Sequence, residues 1–294
     1  MRPQGVYAAV LVPRVSDGAI NERGFRGILG FLPGKKISRI VVNGATGEYC
    51  LTTPRDLARL LAICNETLPG DAELLCGIGA PALPGCLELG RIAMDAGARA
   101  LLLPMPHFFP YSQDDLQSFC TAVAGSLDAP VLLYNLPRFT TPLELETVRS
   151  LTASVANIIG IKDSSGSLSL LRGLEGSGAA RIVGDDSVLV AAVAEQVADG
   201  VISGVAGVLP ELITFLYHER DSPDYARGAA LLAELIRQLS VFPVPWGLKL
   251  IAECRGLAEA GILQPLSSAR AAQACEFRAW FSRWWPDAEP VVNT

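Results

Sequence analysis

Lysine is scarce in this chain: among 294 residues only Lys35, Lys36, Lys162 and Lys249 are lysine. Histidine is scarcer still, with His107 and His218 alone. A metal site built from imidazoles and carboxylates has little to draw on, and Asp185-Asp186 without partners is a weak ligand set, so no metal is expected. A formal charge of −6 and a pI near 5.1 exclude a nucleic-acid or anionic-membrane surface, which needs clustered positive charge. The pair Lys35-Lys36 is too short to serve. Apolar runs are broken by Gly, Pro or charged residues well before the ~18 residues of a membrane span. The seven cysteines (Cys50, Cys64, Cys76, Cys86, Cys120, Cys254 and Cys275) are odd in number, scattered and without a C-x-x-C pair. Disulfide scaffolds and zinc sites both need tighter patterns, so most of these read as small core residues in a reducing cytoplasm. The opening Met1–Gly5 passes directly into a strand-like run, with no signal-peptide core or cleavage site, which carries the same cytoplasmic expectation. A dinucleotide turn is missing as well. Leu11-Val12-Pro13-Arg14 follows the first strand, and Gly77-Ile78-Gly79-Ala80-Pro81 imitates G-x-G-x-x-G for three residues before Pro81 breaks the geometry.

What remains is a chain that is 50% hydrophobic and 18% charged, with 28 glycines and 20 prolines, enough for one large core or two modest ones. Short β-rich runs recur at Tyr7–Val12, Arg39–Asn43, Glu73–Ile78, Ala100–Leu103, Val131–Asn135, Ile158–Lys162, Ala180–Val183 and Gly200–Ser203. Helical spacing lies between several of them. Pro54–Leu68 opens with Thr53 as N-cap and Pro54 at the first helical position. Pro84–Ala96 ends at Gly97, and Ser112–Leu127 carries Asp114 and Asp115 in its first turn, where the helix dipole favours acids. Ser187–Ala198 follows the seventh run. Eight strands alternating with helices, without a phosphate turn, indicate a closed (β/α)8 TIM barrel over residues 1–223. From Pro210 the alternation stops. Glu211–Arg220, Asp224–Leu239, Trp246–Ala260 and Ser267–Trp285 read as helices, and residues 224–294 are expected as a C-terminal helical region packed on the barrel. The tail from Pro286 is expected to be loose.

In such a barrel, chemistry sits at the C-terminal strand ends and the loops that follow. The sixth strand ends at Lys162, followed by Asp163-Ser164-Ser165-Gly166. A lysine desolvated at the end of a buried strand has a lowered pKa, and a neutral amine can form a Schiff base with a ketone or keto acid. The same segment is equally consistent with a lysine that snorkels to solvent. The fifth strand ends in Tyr134, so a phenol and the amine can converge in one barrel mouth and move protons while a carbinolamine collapses; Tyr134 could also be a rim tyrosine bonded to backbone. Gly44-Ala45-Thr46-Gly47 can offer amides and a hydroxyl to a carboxylate, or simply turn the chain. A keto acid presents a carbonyl and a carboxylate side by side, which suits the first reading of all three.

Together these residues resemble the dihydrodipicolinate synthase / N-acetylneuraminate lyase family of Schiff-base, pyruvate-type aldolases, over about Gly5 to Ala260. The resemblance rests on Gly44–Glu48, Tyr134–Pro137, Gly160–Asp163 and Gly184–Asp186, in that order and spacing. It implies that Lys162 is the Schiff-base lysine and Tyr134 the proton shuttle. It also implies that Thr46, with the Thr46 and Ala45 amides, binds the pyruvoyl carboxylate, while the Ile202 carbonyl faces the keto acid. It further implies a homotetramer built from tight dimers, and no cofactor.

The departures from the family pattern concern the second substrate. The synthase has a hydroxyl residue where this chain has Ala45, and a neighbouring subunit's tyrosine where it has Phe108; neither can carry a proton. Phe139 stands where the synthase has an arginine for the aldehyde partner's carboxylate, with Arg138 one position early. Strand neighbours point to opposite faces, although a loop could redirect Arg138. The segment Pro106–Ser112 is closer to the lyase branch, yet Ser164, Ser187 and Gly204 replace polar groups that the sialic-acid lyase uses on its polyol tail. Phe108, Phe109 and Phe139 are expected to make the pocket less polar, with Asp186 also there; His107 either touches substrate or caps its loop. The tryptophans Trp246, Trp280, Trp284 and Trp285 read as core or interface. The expected activity is an aldolase or dehydratase acting on pyruvate or a 2-keto-3-deoxy acid, such as a sugar-derived one. The alternatives are a synthase condensing pyruvate with aspartate semialdehyde through a rewired relay, and a non-catalytic keto-acid binding protein. A metal-dependent aldolase fails on ligands, and a phosphate-binding barrel on the two aspartates after the seventh strand.

Overall fold

Alternation of side chains along short apolar strands builds the centre of the molecule. The computed structural model describes residues 2–292. Eight parallel strands, β1 (Gly5–Ala9), β2 (Arg39–Val42), β3 (Glu73–Gly77), β4 (Ala100–Pro104), β5 (Val131–Asn135), β6 (Ile158–Asp163), β7 (Ala180–Val183) and β8 (Gly200–Ser203), close into a barrel in sequence order. β8 returns to β1 through Gly5↔Gly200 to Ala8↔Ser203. Successive strand residues face opposite ways. Val41 of β2, Leu102 of β4, and Leu132 and Tyr134 of β5 fill the barrel, while Ile40, Val42, Leu101, Leu103, Val131 and Leu133 pack outward under the helices. The same parity sends Ile161 outward and Lys162 inward.

The helices are α1 (Glu22–Phe31), α2 (Pro54–Thr67), α3 (Leu83–Asp95), α4 (Gln113–Ser126), α5 (Leu145–Ser154), α6 (Ser169–Gly173), α7 (Leu189–Glu195), α8 (Pro210–His218), α9 (Tyr225–Leu239), α10 (Trp246–Cys254) and α11 (Ser268–Val292). Thr53 and Ser112 each close a capping box, with Asp56 and Asp115. Such caps contribute ~1 kcal/mol each. The sequence reading passes over α1, α5 and α6, and it takes α7 too long. α7 is preceded by a 3-10 turn at Asp186–Val188 and stops where Gln196 turns left-handed.

One expectation needs correction. The tail from Pro286 is not loose: α11 runs through Pro286 and Pro290 to Val292. Proline removes a helical hydrogen bond, but Phe277, Phe281, Trp284, Ala288 and Val291 form one buried stripe at helical spacing, which offsets the loss. The rest of that tail, Asn293 and Thr294, lies outside the described residues. Most of the cysteines are core residues, as expected: Cys64, Cys76, Cys86 and Cys120 are buried, whereas Cys50, Cys254 and Cys275 are exposed. All are free thiols.

Arg255 binds the late helices to the barrel wall. Its guanidinium donates to Val208 O at 2.7 Å and to both Glu211 oxygens at 3.0 and 2.8 Å, and it lies 4.7 Å from the rings of Phe31 and Trp285. Trp280, Trp284 and Trp285 pack among themselves, Phe277 and Phe281, away from the barrel mouth. No helix among the described residues is long and apolar enough to cross a membrane.

Candidate active site

β5 and β6 run in register so that Tyr134 pairs with Lys162, and Asn135 with Asp163. The second pair, facing away from the barrel interior, clasps the first in place. Asn135 Nδ2 donates to Asp163 Oδ1 at 2.8 Å, and Asn135 Oδ1 accepts from Leu143 N at 3.0 Å. Asp163 also accepts from the Ser165 amide and hydroxyl. Asn135 and Asp163 stand at the ends of sequence motifs that by themselves imply no task for them. Their value is to fix two neighbouring strand ends, and only the strand pairing reveals it.

On the inner side, Lys162 Nζ sits over the Tyr134 ring at 4.0 Å from its centroid. Both residues are buried, at 3% exposure each. Burial takes the Lys162 ammonium down to about 7, with the Asp186 carboxylate pulling the other way. Burial likewise pushes the Tyr134 phenol well above its ordinary value, so it is a neutral proton donor throughout the working range. The Ser164 hydroxyl is close enough to oppose that rise, but among the described residues its buried oxygen has no partner at regular hydrogen-bond geometry. Gly184 makes the room for this cluster. A Cβ there would come within 2.8 Å of Lys162 Cε and 2.3 Å of Ser164 Oγ.

The loop after β2 closes on itself through Gly47 N to Gly44 O, Glu48 N to Ala45 O and Tyr49 N to Gly44 O, at 3.0, 3.0 and 3.3 Å. Among the described residues this leaves the Ala45 and Thr46 amides without a protein acceptor, beside the cavity that both residues line. Glu48 is held by a buried ion pair to Lys249 of α10, Nζ to Oε2 at 2.5 Å, and Lys249 also donates to Gly261 O at 3.1 Å. Sequence reasoning missed this pair, because nothing in the spacing links residue 48 to residue 249.

Lys162, Tyr134, Ala45, Thr46 and Ile202 line one cavity of about 400 Å³, together with Ser164, Arg138, Phe139, Asp185 and Asp186. Asp186 is pushed up to about 6 by burial, against hydrogen bonds from Ser203 and the Val205 amide, and its Oδ1 is buried without a partner among the described residues. Arg138 reaches the cavity rim but its side chain is 71% exposed and 3.9 Å from Asp185.

The loop after β4 departs from expectation. His107 and Phe108 are not part of the cavity lining. His107 is held by an antiparallel bridge to Thr140 and packs edge-on against Tyr49 at 6.1 Å. Phe108 takes a left-handed φ of 86° that turns it outward, where it is 86% exposed and packs edge-on against Phe109. Of the three phenylalanines expected to line the pocket, only Phe139 does so. The apolar lining comes instead from α9 and the turn into α10, through Ile236, Leu239, Phe242, Val244 and Leu248, which the sequence reading left unassigned. Among the described residues no three His, Cys, Asp or Glu side chains cluster as metal ligands would.

The pattern of the Dihydrodipicolinate synthetase family matches residues 2–283. A curated relative, the 4-hydroxy-tetrahydrodipicolinate synthase of Methanopyrus kandleri, is 30% identical over 280 residues, covering 91% of each chain. Among solved structures, the 4-hydroxy-tetrahydrodipicolinate synthase of Methylacidiphilum fumariolicum shares the fold with a TM-score of 0.87 at 24% identity, over 99% of this chain and 100% of that one. The chloride-inhibited dihydrodipicolinate synthase of Acinetobacter baumannii, complexed with pyruvate, matches with a TM-score of 0.84 at 26% identity, over 97% and 99%.

Proposed function

Because the chain belongs to the dihydrodipicolinate synthetase family, we propose that it is a Schiff-base lyase whose Lys162 condenses with pyruvate or a longer 2-keto acid. The observation that carries this reading is the buried Lys162 amine, brought down to about 7 and placed over Tyr134 inside a closed-barrel cavity. At pH 7 about half of such amines are neutral, against fewer than ~1 in 10³ at the ordinary lysine value.

The neutral amine attacks the keto carbon and forms a carbinolamine. The Tyr134 hydroxyl gives a proton to the departing oxygen, water leaves and the imine forms. The substrate carboxylate rests on the Ala45 and Thr46 amides and the Thr46 hydroxyl, and the Ile202 carbonyl faces the bound keto acid. Loss of a C3 proton from the imine then yields an enamine that attacks an aldehyde, and the reverse sequence cleaves a 4-hydroxy-2-keto acid. Pyruvate in the Acinetobacter baumannii relative supports a keto-acid ligand here.

A second reading, a synthase condensing pyruvate with aspartate semialdehyde, is supported by the name of the Methanopyrus kandleri relative. It would need Arg138 to release Asp185 and grip a carboxylate. Turnover assays separate the two: pyruvate with aspartate semialdehyde against pyruvate with other aldehydes, each with EDTA and with borohydride. The lyase reading requires activity that survives EDTA and is lost irreversibly when borohydride is added with pyruvate. Inactivation by EDTA, or survival of borohydride with pyruvate, would refute it.

The proposal extends to assembly and setting. The exposed Phe108–Phe109 pair supports a homotetramer in which copies of the chain cover it. Seven free thiols support a reducing cytoplasm.

A further inference from the structure

The cavity has two halves of opposite chemistry. Around Lys162 it is polar, with Thr46, Tyr134, Ser164 and Asp186. The other half is apolar: Leu136 and Phe139 follow β5, and Leu239, Phe242, Val244 and Leu248 come from α9, the turn after it and α10. Leu136, Phe242 and Leu248 are buried, whereas Phe139 and Val244 are half exposed, at 50% and 51%, where the cavity opens. The halves meet at Gly204, where an added Cβ would lie 2.9 Å from both Thr46 Oγ1 and Leu248 Cδ1. The apolar wall therefore abuts the hydroxyl assigned to the keto-acid carboxylate.

Charge in the cavity is set against an anionic second substrate. Among the described residues the one lining cation besides Lys162 is Arg138, which is mostly exposed and faces Asp185. Asp185 itself accepts from the Ser187 amide and hydroxyl at 3.0 and 2.7 Å, which holds its carboxylate at the rim. A carboxylate-bearing aldehyde would meet Asp185 and Asp186 with no uncommitted cation. A polyol would leave its hydroxyls unpaired along Leu239, Phe242 and Leu248, and unpaired polar groups are costly when desolvated.

Resting on the Schiff-base reading above, we infer that the aldehyde joined to pyruvate, or released in cleavage, is uncharged and carries an apolar body such as an aromatic ring. This replaces the sugar-derived acid expected from sequence. In the condensation the enamine C3 forms one carbon–carbon bond to the aldehyde carbon. The aldehyde oxygen takes one proton, and one water hydrolyses the imine to free Lys162 and a 4-hydroxy-2-keto acid. No electrons are exchanged with any other reactant. The ~300–1,000 Å³ range of ligand pockets includes this cavity, which leaves space for a pyruvoyl unit and one ring.

The test supplies the full chain with saturating pyruvate and one aldehyde at a time: benzaldehyde, isobutyraldehyde, succinic semialdehyde or glyceraldehyde. Product is followed by mass-detected chromatography. A parallel borohydride trap with pyruvate alone reports imine formation. We expect kcat/KM for benzaldehyde to exceed the values for succinic semialdehyde and glyceraldehyde by about tenfold or more, the scale on which an apolar pocket discriminates. Val244→Arg, at a half-exposed position, should move the ratio toward succinic semialdehyde by a similar factor. If pyruvate traps but the charged or polyol aldehyde is preferred, or no benzaldehyde product forms, this inference is overturned while the Schiff-base reading stands. If pyruvate does not trap, both fall together.

Discussion

Lys162 Nζ lies 4.0 Å from the centroid of the Tyr134 ring, on strands whose register pairs the two residues directly. An ammonium over an aromatic face is stabilised, which would raise its pKa. Burial brings the amine down to about 7, against the pull of the Asp186 carboxylate. Tyr134 thus offers two separable things, a face that positions the amine and a hydroxyl proposed to move protons. Tyr134→Phe keeps the face and should slow imine formation by roughly 10²–10⁴, while the pH dependence stays in place. Stopped-flow absorbance with pyruvate measures both. Normal rates in that variant would remove the shuttle role.

The acid limb of the pH profile should belong to Lys162. Imine formation needs the neutral amine, so its rate rises with pH, with a midpoint near the Lys162 value of about 7. Asp186 carries a negative charge above about 6 and favours the protonated amine. Asp186→Asn removes that charge, makes the amine easier to deprotonate and moves the midpoint to lower pH. A midpoint that stays put, or moves up, would show that Asp186 does not act on Lys162.

Ser164 brings a hydroxyl close to Tyr134 in a cavity where Ala45 offers none. Its buried oxygen lacks a regular partner, which fits a group that bonds fully only once substrate is bound. Ser164→Ala should slow imine formation about tenfold, less than the loss of the acid–base group itself. Ala45→Thr, which brings a hydroxyl in from the opposite loop, should recover part of that rate in the double variant. Full activity of Ser164→Ala alone would show that Tyr134 exchanges protons without it.

Parity made the centre of this site legible from the chain alone. Short apolar strands alternate inward and outward, so residues that end adjacent strands with the same parity, as Tyr134 and Lys162 do, must meet inside a closed barrel. The loop of Gly44–Glu48 was legible for a related reason, since its glycines and Thr46 follow a strand that must end at the same mouth. Three features stayed hidden because they depend on distant segments. The apolar wall of Leu239, Phe242 and Leu248 belongs to helices after the strand repeat has ended. The Glu48–Lys249 pair spans most of the chain. The outward turn of Phe108 follows from one left-handed residue, at a phenylalanine that composition gives no reason to place there. The helical tail was concealed by Pro286 and Pro290, whose local preference is overridden by burial of Ala288 and Val291.

The Glu48–Lys249 ion pair, at 11% and 2% side-chain exposure, anchors the loop proposed to hold the keto-acid carboxylate. Breaking a buried pair by removing one partner strands the other charge and costs about 3–5 kcal/mol. Lys249→Met should therefore lower stability by that order in urea unfolding. It should also raise KM for pyruvate more than it lowers kcat, because Thr46 loses its footing while Lys162 and Tyr134 keep theirs. Glu48→Gln should show the same KM bias with a smaller stability loss. An unchanged KM in both variants would confine the pair to a structural role.

The central claim is that one particular amine captures the keto carbon, and two buried lysines compete for that assignment. Reduction with borohydride in the presence of pyruvate, then proteolysis and fragment sequencing by mass spectrometry, distinguishes Lys162 from Lys249 directly. The account predicts a single reduced pyruvate adduct on Lys162, absent when pyruvate is omitted and absent from Lys162→Ala. An adduct on Lys249, or no adduct under conditions of full turnover, would contradict it.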